Sequence, residues 1–163
     1  MSRSKRLCLI GLDGVPEQLL RRLANEGVMP RVADRIASAH LRSMRASLPE
    51  ISSVSWSSFM TGADPNKHGI FGFTDIEPSS YALTFPSFTD VRIPTLWDRL
   101  GNRGVTSVVL NQPATYPARS IPGVMVSGFV AVDLTRSVKP LRWLGPLQRM
   151  NYRIDIDTAR SRQ

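Results

Sequence analysis

A run of serines near residue 52 carries the side chains that are best suited to chemistry. Five hydroxyls lie among apolar residues whose spacing predicts one to two turns of helix: Ser52, Ser53, Ser55, Ser57 and Ser58. Ser52 or Ser53 would stand at the helix N-terminus, where backbone N–H groups and the helix dipole favour an anionic group such as a phosphate or sulfate ester. A hydroxyl at that position is a candidate nucleophile. The alternative is that these serines only cap the helix, for which Ser is a preferred residue.

A second candidate is Asp13, which follows a short apolar run over residues 7–12. That run, LCLIGL, predicts a β-strand that is buried on both faces, with Cys8 as a small core residue. An acidic residue after such a strand lies on the edge where open α/β sheets bind ligands, and its carboxylate suits a divalent cation. The alternative role of Asp13 is to cap the next helix, whose start is marked by Pro16.

The elements that must position these residues alternate between strand and helix patterns. Besides the serine-rich helix, amphipathic spacing predicts helices over residues 16–24, 30–39 and 94–102. Apolar runs predict strands over residues 7–12, 105–110 and 124–127, with a further strand near 41–46. Residues 74–92 predict an irregular loop. Buried strands that alternate with helices need helices on both faces, so the fold class is α/β, with three layers and a mostly parallel sheet. Asp13 and Ser52 would meet at its carboxyl edge.

Four segments of the chain resemble a known family. They are GLDGV at 11–15, GVMPRVADRIA at 27–37, SSVSWSSFMTGADPNKHGIFGF at 52–73 and TLWDRLGNRGVTSVVLNQPATYPA at 95–118. Together they resemble the type I phosphodiesterase and nucleotide pyrophosphatase family of the alkaline phosphatase superfamily, and the third segment is the most specific. The resemblance implies that residues 1–163 are the N-terminal part of a single alkaline phosphatase-like domain, and that this three-layer fold is incomplete here.

The resemblance also implies roles for individual residues. Asp13 would bind one of two divalent metal ions, zinc or alternatively manganese, and Ser52 would bind metal and act as the nucleophile. Ser53 takes that place if the helix begins one residue later, since boundaries read from sequence are uncertain by about two to four residues. The reaction implied is hydrolysis of a phosphate ester or diester through a phosphoseryl intermediate. Metal coordination is one recognised way to activate a serine hydroxyl.

The remaining metal ligands of that family, several Asp and His residues, come from beyond the matched segments. The two histidines of this chain, His40 and His68, lack the spacing of metal ligands. The isolated chain is therefore expected to be inactive, and to bind its metal ions only if a complementary C-terminal polypeptide supplies the missing ligands. The alternative is a non-catalytic remnant, a truncated gene product or half of a split protein, which binds a partner.

A rival family of phosphatases, of the haloacid dehalogenase type, is excluded by one position. Its pattern is Asp, any residue, Asp, Gly, and the first Asp is the nucleophile. In this chain that position is Gly11, so the nucleophile of the rival chemistry is absent.

Charge and composition limit the other function classes. The net charge is +8, but residues 51–100 carry three basic and five acidic side chains, so the candidate site is not the basic part of the chain. The basic flanks lack the aromatic interleaving of a specific nucleic-acid interface. No stretch approaches the roughly 20 apolar residues that span a bilayer. We therefore expect a cytoplasmic protein with a phosphate ester substrate and without a specific nucleic-acid or membrane partner.

Overall fold

The computed structural model of the chain describes residues 6–77 and 79–154. Contacts divide the chain into two compact units, Met1–Arg45 and Ala46–Gln163. Among the residues that the structure describes, none of the helices has the length and apolar character needed to cross a membrane. The single domain over residues 1–163 and the cytoplasmic location both stay predictions.

The first unit contains a pair of helices, α1 (Glu17–Asn25) and α2 (Pro30–Ser38). Each has an apolar stripe, and the half-buried side chains of Leu23 and Ile36 belong to these stripes. The turn between the helices is closed by the carbonyl of Leu23, which accepts hydrogen bonds from the N–H groups of Val28 and Met29. Pro30 starts α2 at a position where a missing N–H costs nothing. Both predicted helices are therefore confirmed to within one residue at each end.

The strand predicted over residues 7–12 is absent from the described part of the first unit, and that prediction is wrong. Leu7 is 81% exposed and Ile10 is 82% exposed, and Cys8 is also exposed rather than buried in a core. The strand predicted near residues 41–46 is missing as well. A strand is stabilised by hydrogen bonds to a neighbouring strand, and the described residues of this unit provide helices alone.

The second unit begins with α3 (Ser52–Thr61) and α4 (Pro65–His68), which pack against each other. Gly62 ends α3 with a φ of 66°, a left-handed conformation that residues with a Cβ rarely adopt. Its N–H donates to the carbonyl of Ser58. Three further helices follow along the chain: α5 (Leu96–Gly101), α6 (Leu134–Ser137) and α7 (Leu144–Arg149).

Two small sheets complete the second unit. In the first, β1 (Asp75–Ile76) pairs antiparallel with β2 (Leu83–Thr84), inside the segment predicted as a loop. The second sheet has the order β3-β4-β5 and consists of β3 (Ser107–Gln112), β4 (Gly123–Ser127) and β5 (Val138–Lys139). β3 and β4 are parallel, with Val109 opposite Met125, and β5 is antiparallel to β4. Strands β3 and β4 confirm two predictions, with β3 starting two residues later than expected, and the α/β class is confirmed.

The hydrophobic core of the second unit draws on helices, loops and the sheet. Its buried members are Met60, Ile70, Phe88, Val91, Trp97, Ala118 and Met125. Met60 comes from α3, Trp97 from α5 and Met125 from β4. The serine-rich helix is thus attached to the same core that supports the parallel strands.

Candidate functional site

The start of α3 determines what its first two serines do. The N-cap is Ile51, whose side chain accepts no hydrogen bond, and Ser52 and Ser53 occupy the first two helical positions. The helix is established at once, because the N–H of Ser55 donates to the carbonyl of Ile51 at 2.9 Å. Neither Ser52 nor Ser53 is therefore the N-cap residue. Both stand in the first helical turn, whose N–H groups have no acceptor within the helix.

Burial separates the two serines. Ser53 is 6% exposed and lies on the face of α3 that also carries Val54, Ser57 and Met60, all of which are buried. Ser52 is half-buried, and its spacing from Trp56 and Phe59 puts it on another face, with that aromatic pair. The rings of Trp56 and Phe59 meet edge to face, with centroids 5.6 Å apart. Of the two candidate hydroxyls, that of Ser52 is the more accessible to a substrate.

The buried face of α3 contains two hydroxyls with no hydrogen-bond partner. These are the Oγ atoms of Ser53 and Ser57, and the statement covers the described part of the chain. Thr61, by contrast, donates its hydroxyl proton to the carbonyl of Ser57 at 2.6 Å. Unpaired buried hydroxyls destabilise a helix that packs against a core.

His68 contacts α3 from the end of α4. The ring is fully buried, and its Nε2 lies 3.0 Å from the Oγ of Ser58. Its Nδ1 accepts a hydrogen bond from the backbone N–H of Ile70 at 3.1 Å. Burial lowers the pKa of His68 below the usual 6.5, and the negative charge of Asp64 opposes that shift. The ring is therefore held in its neutral form.

Sequence reasoning missed this contact between α3 and α4. It considered His68 only as an isolated histidine without the spacing of a metal ligand. Ser58 and His68 are ten residues apart, a distance at which no helical periodicity applies. The one available signal was the turn-forming segment between them, with Gly62, Pro65 and Gly69, which predicts that the chain reverses and comes back against α3.

Asp13 lies in the first unit, in an exposed turn that precedes α1. Ser52 lies in the second unit. The N-cap of α1 is Pro16, with no side-chain hydrogen bond, so Asp13 is not that helix's cap. The expectation that Asp13 and Ser52 meet stays a prediction.

The described residues contain no group of three or more His, Cys, Asp or Glu side chains that could hold a metal ion. Both ring nitrogens of His68 are engaged in hydrogen bonds, and His40 is exposed. A catalytic zinc takes about three protein ligands. The described side chains thus do not fit a complete metal centre.

Among known families, the model described as Type I phosphodiesterase / nucleotide pyrophosphatase matches residues 7–161. No curated protein and no solved structure gives a significant match. The matched range includes both Asp13 and the whole of α3.

Proposed function

We propose that this chain, which belongs to the type I phosphodiesterase / nucleotide pyrophosphatase family, hydrolyses a phosphate ester or diester with Ser52 as the nucleophile. The family itself indicates a hydrolase of the phosphodiesterase or pyrophosphatase type, and such hydrolases are typically metal-dependent. The observation that carries the assignment to Ser52 is its position as the first residue of α3, on the face that is not buried in the core.

The reaction uses the N-terminus of α3 in two ways. The helix dipole and the N–H groups of the first turn favour the anionic phosphoryl group. The Oγ of Ser52 then gives up its proton and forms a bond to phosphorus while the bond to the leaving oxygen breaks, and that oxygen leaves as an alcohol with a proton. Water later hydrolyses the phosphoseryl group, which releases phosphate or its monoester and restores the serine hydroxyl. Ser53 is a poorer candidate because reaching a substrate would require its hydroxyl to leave the buried face.

His68 does not take the proton from a serine in this arrangement. Because Nδ1 accepts the N–H of Ile70, the single proton of the neutral ring is on Nε2, the nitrogen that faces Ser58. A nitrogen that already carries a proton is a donor and not a general base. Activation of Ser52 therefore belongs to groups other than His68.

The proposal includes a requirement for further ligands. Asp13 and Ser52 supply two ligands at most, whereas a two-metal centre needs more. A complementary polypeptide segment rich in Asp and His would supply them. We therefore expect the chain by itself to hydrolyse a chromogenic phosphodiester slowly or not at all in zinc or manganese, and to gain activity when such a segment is added.

The decisive test is capture of the phosphoseryl intermediate. The chain is incubated with a chromogenic phosphodiester and zinc or manganese, with and without the complementary segment, quenched in acid and mapped by mass spectrometry. With the complementary segment present, we expect phosphate on Ser52 in the parent chain and in the Ser53→Ala control. Ser52→Ala should lack it and lose about three orders of magnitude or more in turnover. Phosphate trapped on the Ser52→Ala protein would refute the assignment, and absence of the intermediate under every condition would favour the non-catalytic, partner-binding alternative.

A further inference from the structure

The contacts of His68 involve three separate stretches of the second unit. Its ring reaches Ser58 of α3 and the N–H of Ile70 in the turn after α4. Its backbone carbonyl accepts a hydrogen bond from the N–H of Arg92 at 3.1 Å. The neighbouring Gly69 has a φ of 83°, and the side chain of Arg92 fills the space next to it that a Cβ would need. The orientation of the imidazole is therefore determined from several sides.

These contacts specify one tautomer. The N–H of Ile70 can only donate, so Nδ1 must have a lone pair available. The proton of the neutral ring is then on Nε2, which donates to the Oγ of Ser58. An imidazolium ring would have a proton on both nitrogens and would put two donors face to face at Ile70.

We propose that His68 is a positioning residue, which holds α3 and thereby Ser52 in place through its neutral Nε2–H tautomer, and whose protonation at Nδ1 breaks the contact with Ile70, displaces the ring and so shifts α3. The functional part of this inference rests on the proposed role of Ser52. His68 is not a catalytic residue, because its ring nitrogens are engaged by Ser58 and Ile70.

The helix α3 transmits the constraint from Ser58 to Ser52. Ser52 and Ser58 belong to the same ten-residue helix, so a constraint at one end limits movement at the other. The N-terminal end has no side-chain cap of its own. A displacement of about 1 Å at a reacting group can cost about 100-fold in rate. A hydrogen bond from a buried ring is therefore a relevant constraint on the nucleophile.

Burial and the charged groups around the ring determine the pH at which His68 becomes protonated. Asp64, at the N-cap of α4, favours the protonated ring, whereas burial disfavours it more strongly and lowers the pKa. Lys67 is on the same short helix, and the cationic Arg92 lies against Gly69. α3 contributes no titratable side chain. The ring thus stays neutral at neutral pH, and the contact of Nδ1 with the N–H of Ile70 is lost as the pH falls through the lowered pKa.

The experiment is an NMR titration of the isotope-labelled chain, which needs no activity. In the parent chain we expect His68 to show the Nε2–H tautomer in its ring ¹⁵N shifts. We expect the amide signals of Ser52 and Ser53 to move with the same midpoint as the ring. In His68→Asn, whose side-chain oxygen can replace Nδ1 as the acceptor for Ile70 but cannot reach Ser58, these amides should no longer titrate.

Ser58→Ala provides a second variant in case His68 variants do not fold. It removes only the acceptor on α3, so the ring should keep its tautomer while the coupling to Ser52 disappears. Ser55→Ala, another serine of the same helix, is the matched control and should retain the coupling. A ring in the Nδ1–H tautomer would overturn the proposal. So would amide signals of Ser52 and Ser53 that do not move as His68 titrates.

Activity measurements separate this proposal from the proposed function. If the parent chain turns over substrate with the complementary segment and Ser52→Ala does so as fast, the role of Ser52 is wrong, and the NMR titration still decides whether His68 holds α3. If hydrolysis depends on Ser52, Ser58→Ala should lower kcat by up to about 100-fold with little change in KM. It should also remove the fall in kcat at low pH that follows the titration of His68. A loss of stability alone would not remove this pH dependence.

Discussion

Ser57 shows what a hydroxyl costs when it faces a core. It is fully buried on α3, and its Oγ has no hydrogen-bond partner among the described residues. Its backbone carbonyl is used by Thr61, so the residue contributes to the helix through its main chain. A buried polar group without a partner costs about 1–3 kcal/mol.

We therefore predict that Ser57→Ala stabilises the chain. The substitution removes the unpaired hydroxyl and introduces the residue with the highest helix propensity, so the free energy of unfolding should rise by about 1 kcal/mol. The measurement is urea denaturation followed by circular dichroism. Ser55→Ala, at a half-buried position of the same helix, is the control and should gain only the propensity difference. An equal or larger gain for Ser55→Ala would contradict the explanation.

At the residue scale, the sequence was informative about which residue types matter and less so about what they touch. The run of serines on a helix was predicted from spacing alone, and the structure has that helix. The choice between capping and another role could not be made, because it depends on which residue adopts extended backbone angles at the helix start. That residue is Ile51. The contact of His68 with Ser58 was missed because it depends on the path of the intervening turn.

At the element scale, α5 shows how a helix start is stabilised by side chains. The Oγ1 of Thr95 accepts a hydrogen bond from the N–H of Asp98, and the carboxylate of Asp98 accepts from the N–H of Thr95 at 2.8 Å. The same carboxylate accepts from Arg119 at 2.7 Å, and the guanidinium of Arg119 lies 4.0 Å from the ring centroid of Phe88. This capping box thus connects the start of α5 to the core.

We predict that Thr95→Ala destabilises the second unit by about 0.5–2 kcal/mol, the usual cost of losing an N-cap. Thr95 is fully buried. The substitution also removes its hydroxyl, which donates a hydrogen bond to the carboxylate of Asp98. Thr95→Ser keeps the hydroxyl and should recover most of the loss. Thermal unfolding of the three proteins tests this. A Thr95→Ser variant as unstable as Thr95→Ala would show that the methyl group, and not the cap, is what matters.

Helices were easier to predict than strands, for a physical reason. The hydrogen bonds of a helix are local, so proline, glycine and apolar spacing near α1, α2 and α5 were enough to find these elements. A strand depends on a partner that is distant in sequence. The apolar run over residues 7–12 has the composition of a buried strand, and yet its side chains are exposed. Over residues 107–112 a similar composition does form a strand, because β4 lies beside it.

At the scale of the whole molecule, two properties act in opposite directions. The net charge of +8 makes copies of the chain repel one another. Against this, many large apolar side chains are exposed, among them Leu7 and Ile10 in the first unit and Phe85 in the second. Exposed apolar surface of this kind favours association. The balance therefore depends on the salt concentration, which weakens the repulsion.

The edge of the three-stranded sheet is where we expect that association to occur. Among the strands that the structure describes, β3 lies at an edge of its sheet, and it presents Val108, 65% exposed, and Leu110, 58% exposed. Its sequence, SVVLNQ, contains neither a charged residue nor proline, the features that usually protect such an edge from pairing with another chain. A second copy can therefore add to this strand through main-chain hydrogen bonds and apolar contacts.

We predict that the purified chain self-associates, that association increases with salt, and that Val108→Lys reduces it. Salt shortens the screening length from about 10 Å at 0.1 M to about 3 Å at 1 M, which removes the repulsion and leaves the apolar contacts intact. Sedimentation velocity at both salt concentrations measures the effect. The matched control is Val105→Lys, which adds the same charge at an exposed valine just before the strand. A parent chain that stays monomeric in 1 M salt, or an equal effect of the two lysines, would show that the β3 edge is not the surface through which copies associate.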